Sequence, residues 1–190
     1  SPDGELTKED GSKAPVKDKL EALIRASVLC NDASINSNDE GIYTCIGDPT
    51  EGALTTLGLK SGMFRGETMG KYPRVNELPF DSDRKMMTTY HTNIVADKIV
   101  SYTKGAPDII LSKCKFYHDA TKGVIPMSET KLDEINAMNH EYATKAIRVL
   151  AFAYREFDTN HEVSFDDEAD MIFTGLIGMI DPARAEAKDA

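Results

Sequence analysis

YPRVNELPFDSDRKMMTTYHTNIVADKIVSYTK, residues 72–104, is the stretch whose reading decides the fold. Polar and apolar positions alternate through it, Thr, Tyr, Val and Ile are enriched, and glycine is scarce, which is the signature of strands packed on one face. The breaks at Asp81-Ser82-Asp83 and His91-Thr92-Asn93 divide it into strands near 73–80, 84–91 and 97–104. An antiparallel meander is the simplest topology for three strands with such short connections.

Downstream, the third strand runs into Tyr102-Thr103-Lys104-Gly105-Ala106-Pro107-Asp108. Val100, Tyr102 and Lys104 share one face, so an ammonium extends from an apolar surface just where the chain turns. A helix follows Pro107 and ends near Cys114, and a loop covers 117–126. Ser128 then caps a helix whose apolar positions Leu132, Ile135, Met138, Tyr142 and Ala146 lie three to four apart. A strand at 148–154 places Leu150, Phe152 and Tyr154 on one face, and a last strand spans 171–180. Residues 183–188 begin a helix that is cut short, so the natural chain is expected to continue.

Upstream, Leu20, Leu23, Ile24, Val28 and Leu29 give a helix over 18–33 one buried stripe. A short strand at 41–46 leads to Gly47-Asp48-Pro49-Thr50-Glu51-Gly52-Ala53-Leu54, where Asp48 caps a helix, Pro49 takes its first position and Glu51 closes a capping box. That helix should run to about Lys60. Residues 1–17, rich in Gly, Pro, Ser and charge, read as a flexible loop or trimmed junction. The fold class is α+β, a mostly antiparallel sheet of about six or seven strands flanked by helices.

The 190 residues, 41% of them hydrophobic, suffice for one core. A formal charge of −10 argues against a nucleic-acid or anionic-membrane surface, so any anion must be held by a local cluster of Lys and Arg. Cys30, Cys45 and Cys114 form no CxxC pair, and no signal-like segment or glycosylation sequon occurs, which fits a reducing, cytosolic setting. No apolar run approaches the ~20 residues that span a bilayer. Phosphate loops of the GxxxxGK and GxGxxG kinds and the HExxH zinc motif are absent. A calcium loop beginning at Asn36 fails because Gly47 stands where a bidentate glutamate is needed. His91, His118, His140 and His161 are scattered and read as surface or loop residues, and Asp166-Asp167-Glu168 as a solvated turn.

Five side chains admit both a structural and a binding role. Phe80 is either a core residue on the face of Leu78 or an open ring for stacking on a purine. Lys85 is either a solvated lysine or a charge returned across the bend towards the same pocket. Glu51 either completes its capping box or accepts a hydrogen bond from an adenine amine. Lys104 either snorkels or awaits an anion. Arg148 either satisfies helix-end carbonyls or offers its fork to phosphate.

Taken together, these segments resemble the cytosolic nucleotide-binding domain of P-type cation-transporting ATPases over essentially the whole chain. Lys104-Gly105-Ala106-Pro107 matches the family's lysine-glycine-alanine-proline motif. The segment 47–54 resembles the helix bearing the adenine-contacting glutamate, and Phe80 with Arg84-Lys85-Met86 the stacking phenylalanine with its lysine. Arg148-Val149-Leu150-Ala151 resembles the strand whose arginine reaches the phosphates and whose leucine lines the base pocket. The run Thr174 to Pro182 resembles the return hinge to the phosphorylation domain, although Pro182-Ala183 stands where the family has two prolines before the hinge arginine. The wording is closest to the bacterial calcium-pump branch.

The resemblance implies a nucleotide-binding domain over 18–180 and the start of a return hinge at 181–190. It implies ATP, as its Mg2+ complex, held by Glu51, Phe80, Lys85, Lys104, Gly105, Arg148 and Leu150, with no catalytic or metal-ligating residue in this chain. The parent would be an integral membrane protein of a bacterial plasma membrane, coupling ATP hydrolysis through an aspartyl-phosphate to cation transport. The phosphorylation, actuator and transmembrane domains would be its partners within one polypeptide. The Asp-Lys-Thr-Gly, Thr-Gly-Glu-Ser and Gly-Asp-Gly segments of those domains are not in this sequence, so the piece, a monomer, is expected to bind ATP without turning it over. The alternatives are the same family carrying sodium, potassium or magnesium, and a non-catalytic acidic interaction domain.

Overall fold

The computed structural model describes residues 3–16, 20–119 and 121–180. Its elements are α1 (Glu21–Leu29), β1 (Ser34–Ser37), β2 (Tyr43–Ile46), α2 (Pro49–Lys60), α3 (Arg65–Lys71), β3 (Arg74–Asp81), β4 (Met86–His91), β5 (Lys98–Gly105), α4 (Pro107–Ser112), β6 (Cys114–Asp119), β7 (Gly123–Pro126), α5 (Glu129–Thr144), β8 (Arg148–Asp158) and β9 (Met171–Met179). A seven-stranded sheet has the order β3-β4-β5-β8-β9-β6-β7, and β1 with β2 forms a separate ribbon. Within the large sheet only β6 and β9 run parallel, so the class is α+β with a mostly antiparallel sheet.

The meander of β3, β4 and β5 forms as its alternation requires. One face carries Met87, Val100, Tyr102 and Phe152 under α1 and α2, with Ala26, Leu29 and Leu54 packed on it. The other carries Met86, Ala151, Ala153, Met171 and Phe173 under α4 and α5, joined by Ile110, Leu111 and Ile135. The middle strands are buried on both faces, and β4 exposes no residue at all. Burying ~25 cal/mol per Å2 of apolar surface on both sides makes this the thermodynamic centre of the molecule.

Three expectations need correction. The expected loop at 117–126 is instead largely the hairpin of β6 and β7, turned by Asp119, whose carboxylate accepts from the Thr121 and Lys122 backbone N–H groups. Its strands lie at the sheet edge and are only half-buried, so their alternation is weak. Helix α1 is shorter than 18–33. It stops because Asn31 turns the chain, donating to the Ser27 and Glu51 carbonyls and accepting from Ala33 N–H. Its expected start at residues 18 and 19 lies outside the described residues, as does the expected helix at 183–188. In α5 Ile135 is buried, whereas Met138 of the expected stripe faces solvent.

Two polar readings are also overturned. His91 is buried, its Nδ1 3.0 Å from the Tyr72 carbonyl and its Nε2 3.0 Å from Thr89 Oγ1. Asp167 and Glu168 are buried rather than solvated. Asp167 accepts from Tyr90 Oη and the Ser164 N–H and lies against His161 Nε2, while Glu168 takes Arg84 and Thr88. Burial alone would raise the Asp167 carboxyl, but its hydrogen bonds to His161, Ser164 and Tyr90 outweigh that and hold it below the usual carboxylate range.

Candidate functional site

Register places most of the candidates on one line. Asp81 pairs with Met86, Met86 with Gly105, Gly105 with Ala151 and Ala151 with Leu176, a row that crosses the sheet at one end. Phe80, Lys85, Lys104 and Leu150 are each next to a member of this row in sequence, and Gly105 is in it. With strands ~4.8 Å apart, the row from β3 to β8 spans ~14 Å, wide enough for a nucleoside lying across it.

Lys104 is the deepest cation of the group. Its stem shares a face with Val100, Tyr102 and, across β8, Phe152. Its ammonium donates to the Cys30 carbonyl at 2.6 Å and is ion-paired with Glu51. The side chains are 8% and 15% exposed, so this is a buried pair whose neighbours have lost most of their water. Lys104 therefore does not snorkel, and its anion is Glu51.

Glu51 reaches Lys104 because Asp48 starts α2 where it does. The Asp48 carboxylate accepts from the Thr50 and Glu51 N–H groups, with Pro49 in the first turn. Burial would raise Asp48, but a hydrogen bond from the Thr50 side chain, those two backbone bonds and the nearby Arg148 guanidinium hold it low. The expected capping box is only half realised: instead of turning back to the Asp48 backbone, the Glu51 carboxylate takes Lys104 and the Asp32 N–H at 3.1 Å. Arg148, at the start of β8, donates to Thr50 Oγ1 at 2.9 Å in the first turn of α2.

Three cations converge on the C-terminus of α1. Arg74 donates to the Leu29 and Asn31 carbonyls, Arg65 to Asn31 and Lys104 to Cys30. They satisfy carbonyls that an α-helix leaves open and face the negative end of its dipole. Arg65 and Arg74 were not singled out from the sequence, because nothing local marks an arginine whose backbone acceptors lie more than thirty residues away.

Gly105 is fixed by a close approach. A Cβ there would stand 2.5 Å from the Lys85 carbonyl oxygen and 2.9 Å from Met86 Cβ. The same carbonyl accepts from Ala106 N–H at 3.1 Å, which ties the turn carrying Lys85 to the turn after Lys104. Lys85 itself is exposed and sits at φ 55°. Leu150 is half-buried against the cluster of Phe152 and Tyr102.

Phe80 departs from its expected neighbour. Leu78 pairs with Thr88 and Asp81 with Met86, so β3 holds one extra residue between those pairs, and the bulge breaks the alternation. Leu78 joins a small core with Tyr90, Ile99 and Phe157, whereas Phe80 is left 64% exposed. The core reading is excluded and the ring is free to meet a ligand.

A cleft of about 620 Å3 lies beside Arg148 and touches no other candidate. It is lined by the Pro49, Gly52, Ala53 and Thr56 face of α2, opposite the face that carries Glu51, Leu54 and Thr55. The row across the sheet, not this cleft, gathers the cations with the exposed ring.

The family described as P-type ATPase, cytoplasmic domain N, matches residues 19–186. A calcium-transporting ATPase of Listeria monocytogenes is 38% identical over 96% of this chain and 20% of its own length. Calcium-transporting ATPase 1 of Bacillus cereus is 41% identical over 88% of this chain and 18% of its own. The calcium-transporting ATPase of Bacillus subtilis is 35% identical over 90% of this chain and 19% of its own. The chain thus spans about a fifth of the length of these relatives. A match that runs from α1 past the end of β9, through the Lys104-Gly105-Ala106-Pro107 turn and the Asp48-capped helix, makes this chain a member of the P-type ATPase family, corresponding to its cytoplasmic domain N.

Proposed function

We propose that this domain holds ATP, with its Mg2+, for a P-type ATPase that couples hydrolysis through an aspartyl-phosphate to calcium transport. The observation that carries the reading is the row Asp81, Met86, Gly105, Ala151, which sets an exposed aromatic ring, a buried lysine, an exposed lysine and an apolar leucine side by side. Phe80 stacks on the base, a contact worth roughly 1–3 kcal/mol. Leu150 lines the base pocket. Lys104 forms its floor, and Glu51 accepts from the exocyclic amine of adenine, a donor that guanine replaces with a carbonyl at the same ring position. Lys85 and Arg148 lie towards the phosphates.

The domain makes no cradle for the terminal phosphate. Its service is positioning, the main contribution of protein to phosphoryl transfer, and the accepting aspartate belongs to a segment outside this chain. The names of the relatives support calcium as cargo, and the match to a cytoplasmic domain supports a position on the cytosolic side of a bacterial membrane. One stacked base and a few exposed charges leave only modest affinity after the ordering costs of binding.

Titration of 15N-labelled protein with MgATP, followed by NMR, tests the reading. The expected result is saturable shifts at Phe80, Glu51, Lys85, Lys104 and Arg148, with GTP weaker. Shifts confined to residues lining the cleft beside Arg148, or none at saturation, would sink it. An acidic docking module would show no preference between the two nucleotides.

A further inference from the structure

The bulge that exposes Phe80 is held from outside the row. Arg84 directs one arm of its guanidinium, Nη2, to the Pro79 carbonyl at 2.6 Å, the peptide that leads into Phe80. The other arm, Nη1, lies 2.5 Å from both carboxylate oxygens of Glu168. Glu168 is 2% exposed, and its Oε1 also accepts from Thr88 Oγ1 at 2.7 Å, beneath the start of β4. The guanidinium lies 4.9 Å from the centre of the Phe165 ring. Asp81 completes the turn, its carboxylate accepting from Asp83 and Arg84 N–H and its carbonyl from Lys85 N–H.

We infer that Glu168 is a positioning residue for the nucleotide site: through Arg84 it clamps the Pro79 carbonyl, and so keeps the β3–β4 turn in the shape that presents Phe80 and Lys85. The inference rests on the proposed role of Phe80. Glu168 is more than 80 residues from that turn in sequence and touches no candidate binding residue. A buried carboxylate needs a cation, and a fixed fork can serve two acceptors at once. Were the pair only a device for folding, its second arm would have no reason to end on the peptide preceding Phe80. With the fork anchored, the Pro79 peptide is set before a ligand arrives, and the ordering cost of stacking is correspondingly smaller.

Two variants and one background test the linkage. Glu168→Gln keeps the bond to Thr88 and removes the charge facing Arg84. Arg84→Lys keeps a charge for Glu168 but loses the planar fork, and serves if the first variant folds poorly. In ligand-free folded protein, each is expected to shift and broaden the NMR signals of the Phe80 ring and the Lys85 amide, with Phe152 and Phe173 in the core unmoved. Each should also raise the Kd for MgATP about three- to tenfold, a fraction of what stacking supplies. In a Phe80→Ala background Glu168→Gln should raise Kd no further, a non-additivity that a purely structural role would not produce.

An unmoved Phe80 ring in the folded variants, or full additivity with Phe80→Ala, overturns the inference. The ligand-free arm is independent of nucleotide. If wild-type protein bound no MgATP, the functional reading would fall, while the Phe80 signals would still decide whether Glu168 sets the turn.

Discussion

Replacing Glu51 by Gln keeps the size of the side chain and removes the charge facing Lys104. The lysine, its side chain 8% exposed, would then rest its ammonium on the Cys30 carbonyl and a neutral amide. Breaking a fully buried ion pair from one side costs roughly 3–5 kcal/mol, and a hydrogen bond to a charged group contributes about 1.5–3 kcal/mol. Glu51 is the wetter partner, and Lys104 retains a carbonyl, so about 2–3 kcal/mol is expected. Lys104→Met runs the other way: the stranded carboxylate keeps the Asp32 N–H and is nearer to water, so about 1–2 kcal/mol is expected. The double variant buries neither charge and should recover at least about 1 kcal/mol of the summed loss. Urea unfolding of the four proteins measures all of this, and the thermal midpoint should fall by about 2–4 °C per kcal/mol. Equal costs for the two single variants, or strict additivity, would refute the picture of a buried pair whose deeper member is the lysine.

Two further outcomes are expected. Burial, and to a lesser extent the Arg74 charge, push the His91 imidazole down to about 4 against the opposing bond to the Tyr72 carbonyl. A folded value below the unfolded one means that its contribution is fully present above pH ~6.5 and is lost as pH falls towards ~4, a loss of about 3 kcal/mol. Wild-type protein should therefore lose about 2–3 kcal/mol more than His91→Gln between pH 7.5 and 4.5 in urea unfolding; parallel profiles would refute it. Gly105→Ala forces a methyl group against the Lys85 carbonyl and Met86, and should cost about 1–3 kcal/mol while shifting the Lys85 and Ala106 amide signals. An unchanged unfolding midpoint would show that this approach is not as tight as drawn.

The sequence revealed most where chemistry is local. Asp48 and Pro49 marked the start of α2, Ser128 that of α5, and alternation the meander. What escaped was set by distant partners. Asp167 and Glu168 look solvated in a run of acids, yet Tyr90, Thr88 and Arg84, which bury them, come from the first hairpin of the sheet. His91 was hidden in the same way by Tyr72 and Thr89. Strand β1 carries only Ile35 as an apolar signal, and α3 has two glycines and no apolar stripe, so neither stood out. Of the candidate site, Lys104 and Glu51 could be singled out as candidates from their local motifs, but their mutual pairing could not. Phe80 was placed on the face of Leu78 because alternation is blind to a single extra residue in a strand.

The meeting of Arg65, Arg74 and Lys104 at the end of α1 bears on the electrostatics of that corner of the fold. A site built to receive a highly charged ligand faces mutual repulsion among its cations while it waits, and so tends to loosen. Here Lys104 is neutralised by Glu51 and by the carbonyl end of a helix, so the cluster carries little electrostatic tension. On the proposed function, filling and emptying the site would be nearly an exchange of one set of acceptors for another.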